Sequence, residues 1–191
     1  MVRKGSASMR TLDDHLANYA AYHRDKRNIA IHSLGIPLIV LAVATMLSRP
    51  RLANDVFPLS AAPLLFGLAT AFYLRLDLRF GLGMTAVSIV SVAFGAWAAA
   101  QSTTAWLVAG LGLFLFGWAL QFIGHYWEGR KPAFVDDIMG LAIGPLFILA
   151  EAAFALGLRP EVQRYIESVA GPTRIGRATG AATPTPVRPD R

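Results

Sequence analysis

The sequence predicts an all-α fold: a multispanning transmembrane bundle of four to five apolar helices, preceded by an N-terminal amphipathic helix. Composition is the first observation behind it. Of 191 residues, 54% are hydrophobic and only 16% charged, with a mean hydropathy of +0.46, against roughly 25% charged in an average soluble domain. Distribution is the second. The polar residues gather in short islands, so the apolar excess lies in long uninterrupted runs, as a bilayer solvent requires.

Residues 1–10 are expected to be disordered, residues 11–168 to form one integral-membrane helical domain, and residues 169–191 to be a disordered tail rich in Pro, Thr, Gly and Arg. Thr11, with Asp13 and Asp14 behind it, marks a helix start. Leu12, Leu16, Tyr19 and His23 then share one side of that helix. The basic knot from His23 to Asn28 leads into an apolar run that ends at Leu47. His23 and His32 are nine residues apart, ~900° along one unbroken helix, so their rings would point in opposite directions. A shared site therefore requires a break near residues 24–27. Asn28 and His32, at i and i+4, already share a face.

Four more apolar runs follow, at 57–74, 82–100, 104–123 and 138–158, each near the ~20 residues needed to cross a hydrocarbon core. The separators include Arg75–Arg79 and Gln101–Thr104. Gly95, Ala98, Gly110, Gly112 and Gly117 permit close helix packing in lipid. If the first four runs span, His32 at the entry to the first and His125 at the exit of the fourth lie on the same side of the membrane. Arg3, Lys4, Arg10, Arg24, Lys26 and Arg27 place that side in the cytoplasm. The first apolar run begins only after Ser33 and has no small-residue cleavage site, so no signal peptide is expected.

The absence of cysteine excludes disulfides, thiolate nucleophiles and Cys-type zinc sites. There is no Gly-rich phosphate loop, nucleophile elbow or Rossmann fingerprint. The net charge of +6 sits mostly at the two ends and lacks the interleaved aromatics of a nucleic-acid surface, so no nucleic-acid partner is expected. The chemistry concentrates at Gln121, His125 and Glu128, which at i, i+4 and i+7 share one helix face.

On the residues alone, His15, His23, His32 and His125 either hydrogen-bond neighbours at headgroup level or bind a metal. Glu128 pairs with Arg130 or Lys131, or works at the site. Asp136 and Asp137 cap the following helix or support a ligand histidine. Arg24, Lys26, Arg27, Arg130 and Lys131 form a solvated rim or anchor a carboxylate head group. Glu151, inside the last run, is expected to face the bundle interior.

Taken together, Tyr19 with His23, Asn28-Ile-Ala-Ile-His32-Ser-Leu-Gly35-Ile-Pro37, Gln121-Phe-Ile-Gly-His125 with Glu128, Pro132-Ala133, Asp136, and Pro145-Leu-Phe147 with Glu151 resemble the 2-hydroxy fatty acid dioxygenase family (Mpo1-like). The resemblance covers about residues 11–158. It implies an iron(II)-dependent membrane enzyme that uses O2 to shorten a 2-hydroxy fatty acid by one carbon, the reaction of fatty acid α-oxidation. It assigns His23, His32 and His125 to the iron, with His15 a weaker candidate, and makes Glu128 and Asp136 catalytic candidates, as ligands or as support. Arg24, Asn28, Gln121 and Lys131 are candidates for binding substrate, Arg24 or Lys131 neutralising its carboxylate. The Ala- and Arg-rich composition points to a bacterial plasma membrane, with the site on the cytoplasmic side. Iron in place of zinc rests on the resemblance alone. The competing readings are a non-catalytic lipid-binding or transport protein and a zinc-dependent lipid enzyme.

Overall fold

The computed structural model describes residues 11–49 and 60–176, and every regular element among them is a helix. The expected disorder of residues 1–10 lies outside the described residues. Helix α1 (Leu12–Ala20) starts at a capping box in which Thr11 and Asp14 each accept the other's backbone N–H. It buries Leu12, Leu16 and Tyr19. The chain then breaks at residues 21–25, slightly ahead of the 24–27 expected, so that Lys26 and Arg27 already belong to the next helix. Asp25 restarts it by accepting the Arg27 N–H as N-cap of α2 (Lys26–Leu47).

Helices α2, α3 (Ala61–Leu76), α4 (Leu78–Ala99) and α5 (Thr103–Glu128) run up, down, up and down. At the far pole, Arg49 just beyond α2 donates to the Ala99 and Gln101 carbonyls and to the Thr103 hydroxyl. Those bonds tie the end of α2 to the α4–α5 turn. The separator expected at Arg75–Arg79 contracts to one residue. Asp77 alone is extended, and its carboxylate caps the Phe80 N–H. Thr70 Oγ1 to Ser88 Oγ, 3.1 Å, links α3 to α4.

A 3-10 turn at Ala133–Val135 leads to α6 (Gly140–Ala155) and α7 (Pro160–Ala170), which are bent 117° from each other. Tyr73 Oη donates to the Ala142 carbonyl at 2.7 Å and holds α6 to α3. Tyr165 Oη donates to Asp14 at 3.0 Å and lays α7 along α1.

By length and composition α2, α4 and α5 can each cross a membrane, and α6 with α7 forms a broken fourth candidate; α3 is a shorter apolar helix. Leu68, Ile89, Val90, Val108, Leu115 and Phe116 are all more than half exposed on these helices. Such a continuous apolar exterior is unfavourable in water and is ordinary surface in lipid.

With lipid outside as apolar as the side chains inside, close backbone approach holds helices together. Gly95 shows this on α4: a methyl group there would stand 2.6 Å from the Ala44 carbonyl oxygen of α2. Gly95→Ala is expected to cost about 1–3 kcal/mol and lower the unfolding midpoint in detergent. Gly112→Ala, where the added carbon meets nothing within 4 Å, leaves the midpoint unchanged or raises it. Equal behaviour of the two variants in a thermal melt would refute this packing.

Candidate metal centre

Three histidines converge at the pole where α1, α2, α5 and α6 meet. His23 comes from the break, His32 from early α2 and His125 from the last turn of α5. They are 0%, 1% and 7% exposed. Their rings stand edge-on to one another with centroids 4.8–4.9 Å apart. The Nε2 atoms of His32 and His125 are 3.3 Å apart. One nitrogen from each ring falls within 4.8 Å of the other two. Ligands at ~2.1 Å from a common ion stand ~3–4 Å from one another, so a small inward movement closes this set on a single metal.

His23 supplies the clearest test of fit. Its Nδ1–H donates to the Tyr19 carbonyl at 2.8 Å, which puts the lone pair on Nε2. That Nε2 is buried and has no hydrogen-bond partner. An unpaired buried acceptor is costly unless something binds it, and an imidazole whose other nitrogen donates to a carbonyl is oriented as a metal ligand. Burial, then the adjacent His32 and His125 rings, holds His23 well below its ordinary pKa and so in the neutral, ligating form. Tyr19 also stacks on the His23 ring, centroids 4.2 Å apart and 5° from parallel.

Two glycines allow α2 and α5 to bring His32 and His125 together. A methyl group on Gly124 would lie 2.3 Å from Asn28 Oδ1 and 2.7 Å from His32 Nδ1. One on Gly35 would lie 2.4 Å from Gln121 Nε2 and 3.0 Å from the Gly117 carbonyl oxygen. Each helix offers a glycine where the other presents an amide.

Glu128 is not placed as a ligand. Its carboxylate is wholly buried and accepts from the Arg24 and Asp25 backbone N–H groups, from Asn28 Nδ2, and from Arg174 Nη2. The expected alternative partners are engaged elsewhere, Arg130 with the Ala21 carbonyl and Lys131 with Asp136. Asp136 is a surface group that accepts from Tyr22 Oη and pairs with Lys131, so it stands apart from the buried histidines. Asp137, not Asp136, accepts the Met139 N–H at the approach to α6.

A cavity of about 550 Å3 runs between α2, α3, α4, α5 and α6 and is lined by His125, Gln121 and Tyr19 together with apolar side chains such as Ile36, Met84 and Trp118. A second, of about 470 Å3, shares Ile36, Val40, Val87 and Pro145 with it. Of the four residues expected to bind substrate, Gln121 alone lines the first cavity. Arg24 is occupied by the Ala20, His23 and Gly171 carbonyls and lies 3.7 Å from Glu151. Asn28 is fully buried between Glu128 and Gly124. Lys131 faces outward on Asp136. Neither cation is positioned to meet a carboxylate in the cavity. Glu151, expected to face the bundle interior, is 21% exposed and turns to Arg24, a partner its position did not signal.

Residues 171–176 depart from the disorder expected of 169–191. Arg174 forms a parallel bridge with Asp25, and α7 itself runs to Ala170. Residues 177–191 lie outside the described residues. No spacing rule signals Arg174, because its partners lie either at the break before α2 and its first residue, more than a hundred residues upstream, or at Glu128, 46 residues upstream.

Removing Glu128 strands three buried donors and one guanidinium. Glu128→Ala is therefore expected to cost about 3–5 kcal/mol, whereas Asp136→Ala at the surface stays within about 0.5 kcal/mol. Chemical denaturation checks both. Asp136→Ala destabilising as much as Glu128→Ala would contradict these placements.

Comparison with known proteins agrees with this geometry. The family described as 2-hydroxy-palmitic acid dioxygenase Mpo1-like matches residues 9–156, which hold all three histidines. The 2-hydroxy-palmitic acid dioxygenase MPO1 of Saccharomyces cerevisiae is 31% identical over 158 residues, 82% of this chain and 87% of that protein. No solved structure matches. With a family match across most of its length and a buried histidine trio inside the matched stretch, the chain belongs to the Mpo1-like family.

Proposed function

We propose that this chain is an iron(II)-dependent membrane dioxygenase that shortens 2-hydroxy long-chain fatty acids by one carbon with O2. The observation that carries the reading is the meeting of His23, His32 and His125 at one end of an apolar cavity, with His125 in its wall. The yeast relative's name, a 2-hydroxy-palmitic acid dioxygenase, supports both the substrate class and the oxidative chemistry.

His23, His32 and His125 would hold the metal through neutral imidazole nitrogens. Iron(II), when bound, supplies a Lewis acid for the hydroxyl and carboxylate oxygens of a 2-hydroxy acid and a means of activating O2. The protein's part is to place and protect. The Tyr19 carbonyl holds the His23 tautomer, and Glu128 holds the Arg24 and Asp25 backbone amides just after His23 and the Asn28 side chain one turn before His32. Gln121, buried with its Nε2 unpartnered, offers a hydrogen bond near His125. The apolar walls suit an alkyl tail and keep water away from the centre. The second cavity, sharing four lining residues, extends the space open to a long chain.

Arg24, Lys26, Arg27, Arg130 and Lys131 cluster at the histidine pole, which supports a cytoplasmic site, and the Ala- and Arg-rich composition supports a bacterial plasma membrane. At the opposite pole, residues 101–104 carry no basic side chain, and Arg49 is held there by the α4–α5 turn.

The test is anaerobic loading with iron(II), followed by O2 and 2-hydroxyhexadecanoic acid. The expected product is one carbon shorter, and His125→Ala is expected to remove bound iron and product together. Turnover that persists without O2, or a folded wild type that takes up no iron, would overturn the assignment.

A further inference from the structure

Of the chain beyond residue 156, where the family match ends, one segment returns to the metal centre. At Gly171, whose φ of 80° is left-handed, the backbone turns off α7. Residues 171–176 then lie along the break that carries His23. The Arg174 N–H donates to the Arg24 carbonyl and the Lys26 N–H to the Arg174 carbonyl, both at 2.8 Å. The Gly176 N–H donates to Asp25 Oδ2 at 3.0 Å, and Arg24 Nη1 to the Gly171 carbonyl at 3.0 Å. Arg174 Nη2 reaches Glu128 Oε1 at 3.2 Å. Backbone groups in a break between helices have no intrahelical partners, and this segment supplies them.

We infer that Gly171–Gly176 is a clasp for the metal centre and that Arg174 is a positioning residue, a role that presupposes the metal reading above. Glu128 is the point through which Arg174 acts. Its other oxygen accepts from Arg24 and Asp25, which follow His23, and from Asn28, one turn before His32. Glu128 itself follows His125 by three residues on α5. One carboxylate thus adjoins all three ligands. Among the described residues Arg174 is the one guanidinium ion-paired with it, since Arg24 turns to Glu151. Without that ion pair Glu128 keeps its dipolar donors and the longer-range pull of Arg24 but loses its close countercharge, and the anchor shared by the segments bearing His23 and His125 is weakened.

The experiment compares full-length wild type with Arg174→Ala, Arg174→Gln and Arg174→Lys, using Arg164→Ala on exposed α7 as the control. Iron(II) affinity is measured anaerobically, the ligand-field spectrum is recorded with cobalt(II), and amide exchange at Asp25 and Lys26 is followed in metal-free protein. Arg174→Ala and Arg174→Gln are expected to weaken metal binding about 10–100-fold, as loss of an outer-shell partner does. They should also alter the cobalt spectrum and speed exchange at both amides. Arg174→Lys restores much of the affinity, because an ammonium still offers Glu128 a charged donor, and Arg164→Ala matches wild type. Wild-type affinity and spectrum in both neutral variants would overturn the positioning role. If the wild type takes up no metal, the metal reading fails by itself; unchanged exchange in Arg174→Ala then sinks the clasp independently.

Discussion

A single buried carboxylate organises the histidine end of this protein. Glu128 has no exposed side-chain surface and four donors. Two of those donors are backbone amides that cannot be helical, because they lie where α1 has ended and α2 has not yet closed its first turn. The carboxylate therefore does for the break what an N-cap does for a helix, from a different element. It also holds the backbone just after His23, whose ring is buried beside those of His32 and His125. A buried anion is tolerated only when surrounded by such donors and a countercharge, so the break, the amide of Asn28 and the docked Arg174 form one unit.

Glycine makes the approach possible. Gly35, Gly117 and Gly124 keep α2 and α5 close enough that an amide from each helix sits against bare backbone on the other. The same closeness brings two imidazole nitrogens within 3.3 Å. In lipid, where apolar burial between helices contributes little, this steric fit also serves as the attraction. Packing and ligand placement at this seam are one property.

The exterior and the interior divide the apolar residues between two purposes. Outward, Leu68, Ile89, Val108 and their neighbours form an apolar surface of the kind a bilayer accommodates. Inward, Ile36, Met84, Phe114 and Trp118 line a space that their own volumes do not fill. Polar groups facing that space are few, and Gln121 and Tyr19 stand at its histidine end, an arrangement suited to a molecule with one polar head and a long tail.

The sequence by itself determined the helical class, the capped start at Thr11, the need for a break between His23 and His32 if they share a site, and the placing of His32 and His125 on one side if four runs cross. Each follows from short-range periodicity or from the parity of crossings, which depend on local backbone geometry. It also singled out Glu128 as chemically distinct, yet not its task. Only the tertiary structure decided that Glu128 anchors a break, that Asp136 stays at the surface on Lys131, and that Arg24 turns to carbonyls and Glu151 and away from the cavity. The docking of Arg174 was likewise decided there, since it depends on a contact across more than forty residues that no helical period encodes. Charged side chains carry no signature of their partner: whether a carboxylate binds a metal, caps a backbone or pairs with an arginine is settled by what the folded chain brings within about 3 Å of it.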